Sequence, residues 1–110
     1  MTLTLDKHGK LKISEAQLQR DCMKLLRLCG WYVRPAPKES YKAGIPTGEP
    51  DLLAVRPGRG LWLELKTPDG KVSDVQRDWH KWARGRGDEI HVIRSIDELR
   101  ELIGVSGRKG

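Results

Sequence analysis

Gly48-Glu49-Pro50-Asp51-Leu52-Leu53-Ala54-Val55, followed by Arg56-Pro57-Gly58-Arg59-Gly60 and Leu61-Trp62-Leu63-Glu64-Leu65-Lys66, is the run that decides the fold. Leu52 to Val55 is unbroken apolar sequence, as expected of a strand covered on both faces. Arg56 to Gly60 has the composition of a hairpin turn. On the return, Leu61, Leu63 and Leu65 alternate with Trp62, Glu64 and Lys66, the period of a strand with two unlike faces. With a turn of about three to five residues, Asp51 falls opposite positions 64 to 66. It is then directly across from, or diagonal to, the face that Glu64 and Lys66 share.

The flanking sequence supplies helices. Ser14, with Gln17 three residues on, has capping-box spacing, and Leu18, Cys22, Leu25, Leu26 and Cys29 follow at helical period until Gly30. Trp31 to Arg34 reads as a strand stopped by Pro35 and Pro37, and residues 35–49 as a loop. Thr67-Pro68-Asp69-Gly70 breaks the hairpin's second strand. Ser73 with Gln76 caps a helix running to about Arg84, Glu89 to Ile93 reads as a strand, and Ser95 with Glu98 caps a last helix carrying Ile96, Leu99, Leu102 and Ile103. The order αβββαβα predicts an α/β fold with a central sheet flanked by helices. Residues 1–12 read as a small hairpin or a loose arm, and 105–110 as a flexible tail.

The 110 residues suffice for one domain spanning the chain, not two. Lys and Arg number 21 against 15 acids, for a net charge of +6. That balance favours a polyanionic partner, nucleic acid or anionic lipid, and the acids embedded in the hairpin favour nucleic acid. Cys22 and Cys29 are seven apart and read as small apolar residues of one helix face. No zinc-ligand spacing, signal peptide or transmembrane run occurs, so a cytoplasmic protein without membrane contact or organic cofactor is expected.

Two acids and a lysine gathered mid-sheet are costly unless they have a task. They suit Mg²⁺ (or Mn²⁺), a hard cation held by carboxylate and carbonyl oxygens that keeps several waters. Asp51 and Glu64 supply carboxylates and Leu65 a backbone carbonyl. The metal lowers the pKa of a bound water, and Lys66 orients that water and stabilises charge on a phosphodiester in the transition state. The bland reading is a solvated hairpin with an incidental ion pair.

Pro50-Asp51 and Glu64-Leu65-Lys66 resemble the two elements of the PD-(D/E)xK nuclease superfamily. Within it the chain is most similar to the VRR-NUC (virus-type replication-repair nuclease) family, through Glu15, Gly48 to Asp51, Glu64 to Thr67, Gly70 and Gln76, a match spanning residues 14–95. The resemblance implies a restriction-endonuclease-like αβββαβ core with a mixed sheet. It makes Asp51 and Glu64 the main metal ligands, Glu15 a further one directly or through water, and Lys66 the catalytic lysine. Gln76 would contact the water or orient Lys66. Small viral or phage members resemble Holliday-junction resolvases, homodimers that nick two strands of branched DNA. The protein would then work in a bacterial or phage-infected host cell.

Around this centre, Lys38, Tyr41 and Lys42 before the first acid and Arg77, Lys81 and Arg84 on the second helix read as a DNA-gripping rim. Trp79 and Trp82 read first as core, then as a dimer contact or a wedge between base pairs. His80 reads as a surface residue. The rival functions are a nicking, flap or restriction-type endonuclease, and a DNA-binding module that does not cut.

Overall fold

Ser14 Oγ accepts from the Gln17 N–H at 3.0 Å and opens α1 (Glu15–Leu28), whose buried stripe is Leu18, Cys22 and Leu26. Four strands follow in a computed structural model that describes residues 13–36 and 48–105. They are β1 (Tyr32–Pro35), β2 (Leu52–Arg56), β3 (Arg59–Leu65) and β4 (Ile90–Ile93), with α2 (Asp74–Gly85) between the last two and α3 (Ile96–Ile103) at the end. Among the described residues every expected helix and strand is present in the expected order. The anticipated arm at 1–12 and the tail from 106 onward, with Lys38, Tyr41 and Lys42, lie outside the described residues.

The sheet order is β1-β2-β3-β4. The first three strands are antiparallel neighbours, and β4 returns parallel to β3 through the α2 crossover, which makes the sheet mixed. The hairpin turn is tighter than its composition suggests. Arg56 pairs with Arg59, leaving Pro57 and Gly58 alone at the tip, and Gly58 takes φ +83° as the third residue of a type II turn requires. That turn sets the register, Leu52 against Leu63, so Asp51 is next in line opposite Glu64.

One sheet face carries Val33, Leu52, Ala54, Leu61, Leu63, Leu65 and Ile93, which with Leu18, Cys22 and Leu26 of α1 and Leu99 of α3 form the core. Truncating a fully buried leucine such as Leu63 to alanine would cost about 2–5 kcal/mol. Cys22 belongs to this core as a protonated, apolar-like group: burial above all, then the charge of Asp21, pushes its thiol up to about 12. Among the described residues the opposite face is covered only in part. α2 spans the gap it bridges, over β3 and β4, where it buries His80 and Ala83. The expectation that β2 is covered on both faces fails for this reason: Leu53 is half-buried, and Val55 and Tyr32 are exposed. Among the described residues no helix is long and apolar enough to cross a membrane.

Candidate active site

Asp51 enters the site from a constrained loop. Gly48, buried, takes φ +57°, and a Cβ there would meet the Val75 carbonyl oxygen of α2 at 2.5 Å. Only glycine lets the chain pass beneath that helix and turn into β2. Pro50 is fully buried beside it. Asp51 then crosses to β3, where its Oδ2 accepts from the Leu65 N–H at 2.7 Å. In a strand the N–H and C=O of one residue point the same way, so the Leu65 carbonyl also faces β2 and Asp51.

Glu64 is the centre of the site. It is 1% exposed, on the face opposite the leucine core. The Gln76 Nε2 donates to its Oε2 at 2.9 Å, and His80 Nε2 lies 3.2 Å from its Oε1. Burial, the charge of Asp51 and a hydrogen bond between the two carboxyls push Glu64 up to about 8. The Lys66 ammonium opposes that shift, and the Glu15 carboxylate adds to it most weakly. Glu15 is exposed in the first turn of α1, at the edge of the site but within electrostatic reach. Lys66, half-buried just beyond β3, is held by its N–H to the Ile93 carbonyl at 3.1 Å.

Asp51, Glu64, Lys66 and Gln76 are thus brought to one place. His80 joins them and corrects the reading of it as a surface residue: it is 3% exposed. Burial first, then the charges of Arg84 and Lys66, hold its imidazole below the ordinary histidine range. Burial disfavours the charged form of both His80 and Glu64, which weighs against an ion pair and for a hydrogen bond between them. The signal was in the spacing, because residues 76 and 80 share a helix face and Gln76 was already expected at the site. Arg94 carried no such signal. Its Nη1 donates to the Thr67 and Gly70 carbonyls at 2.8 and 2.7 Å, tying down the turn that follows Lys66.

The expected rim is less unified. Arg77 is engaged by Asp74 at 2.8 Å, and Arg84 donates to the Ile90 carbonyl on the β4 side, with Lys81 exposed between them. Trp79 and Trp82 are not core. Trp82 is 54% exposed, and Trp79 is half-buried against Trp62 of β3.

Among the described residues no three His, Cys, Asp or Glu side chains form a ready-made metal cage. The donors at hand are two adjoining carboxylates and a backbone carbonyl. They are poorly matched to an all-protein site and well matched to a cation such as Mg²⁺ that keeps most of its waters. A buried glutamate pressed against an aspartate is costly when ionised, and a divalent cation between them removes that cost.

No protein-family model matches the chain, and no curated protein does. Solved structures do. A structure described as a VRR_NUC domain is 27% identical with a TM-score of 0.70, over 82% of this chain and 94% of that one. A second, a VRR_NUC domain protein, is 21% identical with a TM-score of 0.71, over 84% and 87% of the two chains. The chain has the VRR-NUC family fold, the fold of a nuclease family.

Proposed function

We propose that the chain, as a single domain over residues 1–110, is a divalent-metal-dependent endonuclease that hydrolyses phosphodiester bonds in branched DNA as a homodimer. The observation that carries this reading is the juxtaposition of Asp51 with a buried Glu64 whose carboxyl rises to about 8, beside Lys66. Such a pair is unstable in its ionised form until a cation arrives.

Asp51, Glu64 and the Leu65 carbonyl would hold Mg²⁺ or Mn²⁺, with Glu15 reaching it through water. The ion supplies charge neutralisation on the phosphate and an acidified water. The chain's own residues do the rest. Gln76 and His80 fix the Glu64 carboxylate from behind, so that its rotamer is set before the ion binds. Lys66 presents a cation to the charge that grows on the phosphate in the transition state. The turn gripped by Arg94 limits where Lys66 can go. The net charge of +6 draws in a polyanion. One domain offers one such cleft, so paired incisions across a junction call for two copies. The cytoplasm of a host cell is the compartment this reading assigns.

The test is cleavage of a labelled four-way junction, a flap and a matched linear duplex in Mg²⁺, Mn²⁺ or EDTA, with Glu64→Ala in parallel. Junction cutting that needs both metal and Glu64 is expected. Cutting at the wild-type rate by Glu64→Ala would remove the site assignment. Preference for the flap or the linear duplex would replace the junction with a flap or restriction-type substrate.

A further inference from the structure

α2 presents two different flanks. Arg84 bonds to Ile90 on the β4 side, whereas Val75 abuts Gly48 ahead of β2 and Trp79 meets Trp62 of β3. At about 3.6 residues per turn, Val75, Trp82 and Arg86 share a stripe, and that stripe overlooks the part of the sheet α2 leaves open. Tyr32, Arg34, Leu53 and Val55 lie on that open part.

Three indoles line up along this boundary. Trp62 and Trp79 meet edge to face with centroids 5.0 Å apart, and Trp79 and Trp82 at 5.5 Å. The Arg86 guanidinium lies 4.4 Å from the Trp82 centroid. The row starts close to the chemistry: Trp62 is two residues before Glu64 on the same strand face, about 7 Å away. Beside Trp62 lies a shallow hollow of about 350 Å³, lined also by Leu53 and Glu89 among others.

We propose that this row is a stacking platform for unpaired nucleobases of the DNA strand that passes the Asp51–Glu64 site; the proposal rests on the nuclease reading and names the feature of the substrate that is recognised. The chemistry favours bases over a second copy of the chain. Asp88 and Glu89 are matched by Arg86 and Arg59, each at 2.8 Å, while Arg34 and Asp78 are exposed with no ion pair among the described residues. A chain of net charge +6 is repelled by a second copy of itself and drawn to a polyanion, and Trp62 shares the strand face of Glu64. Flat π-faces with an arginine alongside are what sequence-tolerant single-strand recognition uses. A branched or distorted DNA offers such bases; a matched duplex does not.

The experiment measures binding of the full chain, in EDTA so that nothing is cut, to a duplex carrying a short unpaired segment and to the matched duplex. Wild type, Trp82→Ala and Trp82→Phe are compared by anisotropy, with 2-aminopurine in the unpaired segment reporting stacking and sedimentation reporting oligomeric state. Trp82→Ala should weaken binding to the unpaired substrate about tenfold and leave the duplex unchanged. The 2-aminopurine quench should disappear and return with Trp82→Phe. Equal loss on both substrates, or no loss, overturns the proposal. So does dissociation of copies by Trp82→Ala with substrate preference intact, which would make the row a contact between chains. Loss of selective binding alongside intact metal-dependent cleavage removes the platform alone; selective binding without any cleavage removes the nuclease reading alone.

Discussion

Gln76 holds Glu64 with one end of its amide and its own helix with the other: Nε2 donates to Glu64 Oε2 at 2.9 Å, while Oε1 accepts from the Ser73 N–H at 2.9 Å. A capping box, which explains the residue on local grounds alone, here also aims a donor into the site. The two roles separate by mutation. Ser73→Ala should cost about 1 kcal/mol through the cap and leave cleavage within about threefold. Gln76→Ala should cost a similar amount of stability but lower the single-turnover rate at least tenfold, as a rough expectation for losing a group that orients the carboxylate. Equal kinetic effects from both would reduce Gln76 to a cap. Denaturant midpoints and cleavage rates on the same preparations decide between them.

The raised Glu64 carboxyl predicts how stability depends on pH without metal. Its folded value, about 8, lies above the ordinary 4.5, so the folded state binds the proton more tightly than the unfolded chain. The resulting stability is complete below about 4.5 and is lost as pH rises through 8. His80, shifted the other way, works in the opposite sense below its ordinary 6.5, so the informative window is pH 7 to 9. In EDTA the thermal midpoint should fall by several degrees across that window in wild type and stay nearly level in Glu64→Gln. Mg²⁺ should restore the loss at pH 9, because it binds the ionised pair. Parallel slopes for the two proteins would mean that Glu64 titrates normally.

Asp51 has a structural bond as well as a proposed metal role, and the two can be read apart. Asp51→Asn keeps an oxygen for the Leu65 N–H and should fold like wild type, yet cut at least about a hundredfold more slowly once the anionic ligand is gone. Asp51→Ala should lose cleavage equally and about 1 kcal/mol of stability besides, since the Leu65 N–H then lacks its partner. Unimpaired cutting by Asp51→Asn would exclude the aspartate as a ligand.

How much of this was legible follows from the range of each interaction. The hairpin and its register came from period-two alternation and a Pro-Gly turn, both local, and Asp51 and Glu64 met as that register requires. The helices came from caps and apolar spacing. What failed was tertiary. The uninterrupted Leu52–Val55 run suggested two covered faces, yet apolar composition does not tell which half of a sheet the crossover helix will span. His80 and Trp82 were misjudged for the same reason: without the angle of α2 over the sheet, one was assigned to solvent and the other to the core. Arg94 could not be anticipated, because its acceptors are backbone carbonyls, which leave no mark in sequence.

Gly48 and Gly58 both hold positive φ, +57° and +83°, but only one sits against the site. Around Gly58 no atom lies within 4 Å of an added Cβ, so Gly58→Ala meets backbone strain alone, about 1–2 kcal/mol, at a turn remote from Asp51. Gly48→Ala meets the same strain and also drives a methyl to 2.5 Å from the Val75 carbonyl, a backbone atom that cannot rotate away. Either α2 lifts or the loop retreats, and the loop carries Pro50 and Asp51 with it. Lifting α2 would draw Gln76 and His80 from Glu64; moving the loop would draw Asp51 from Leu65. Both routes open the site. Gly48→Ala should therefore lose cleavage far beyond what its stability loss predicts, whereas Gly58→Ala, destabilised by a similar margin, should cut normally at temperatures where it stays folded. Comparing the two rates at matched fractions folded tests whether the glycine before Pro50-Asp51 serves the site or only the turn.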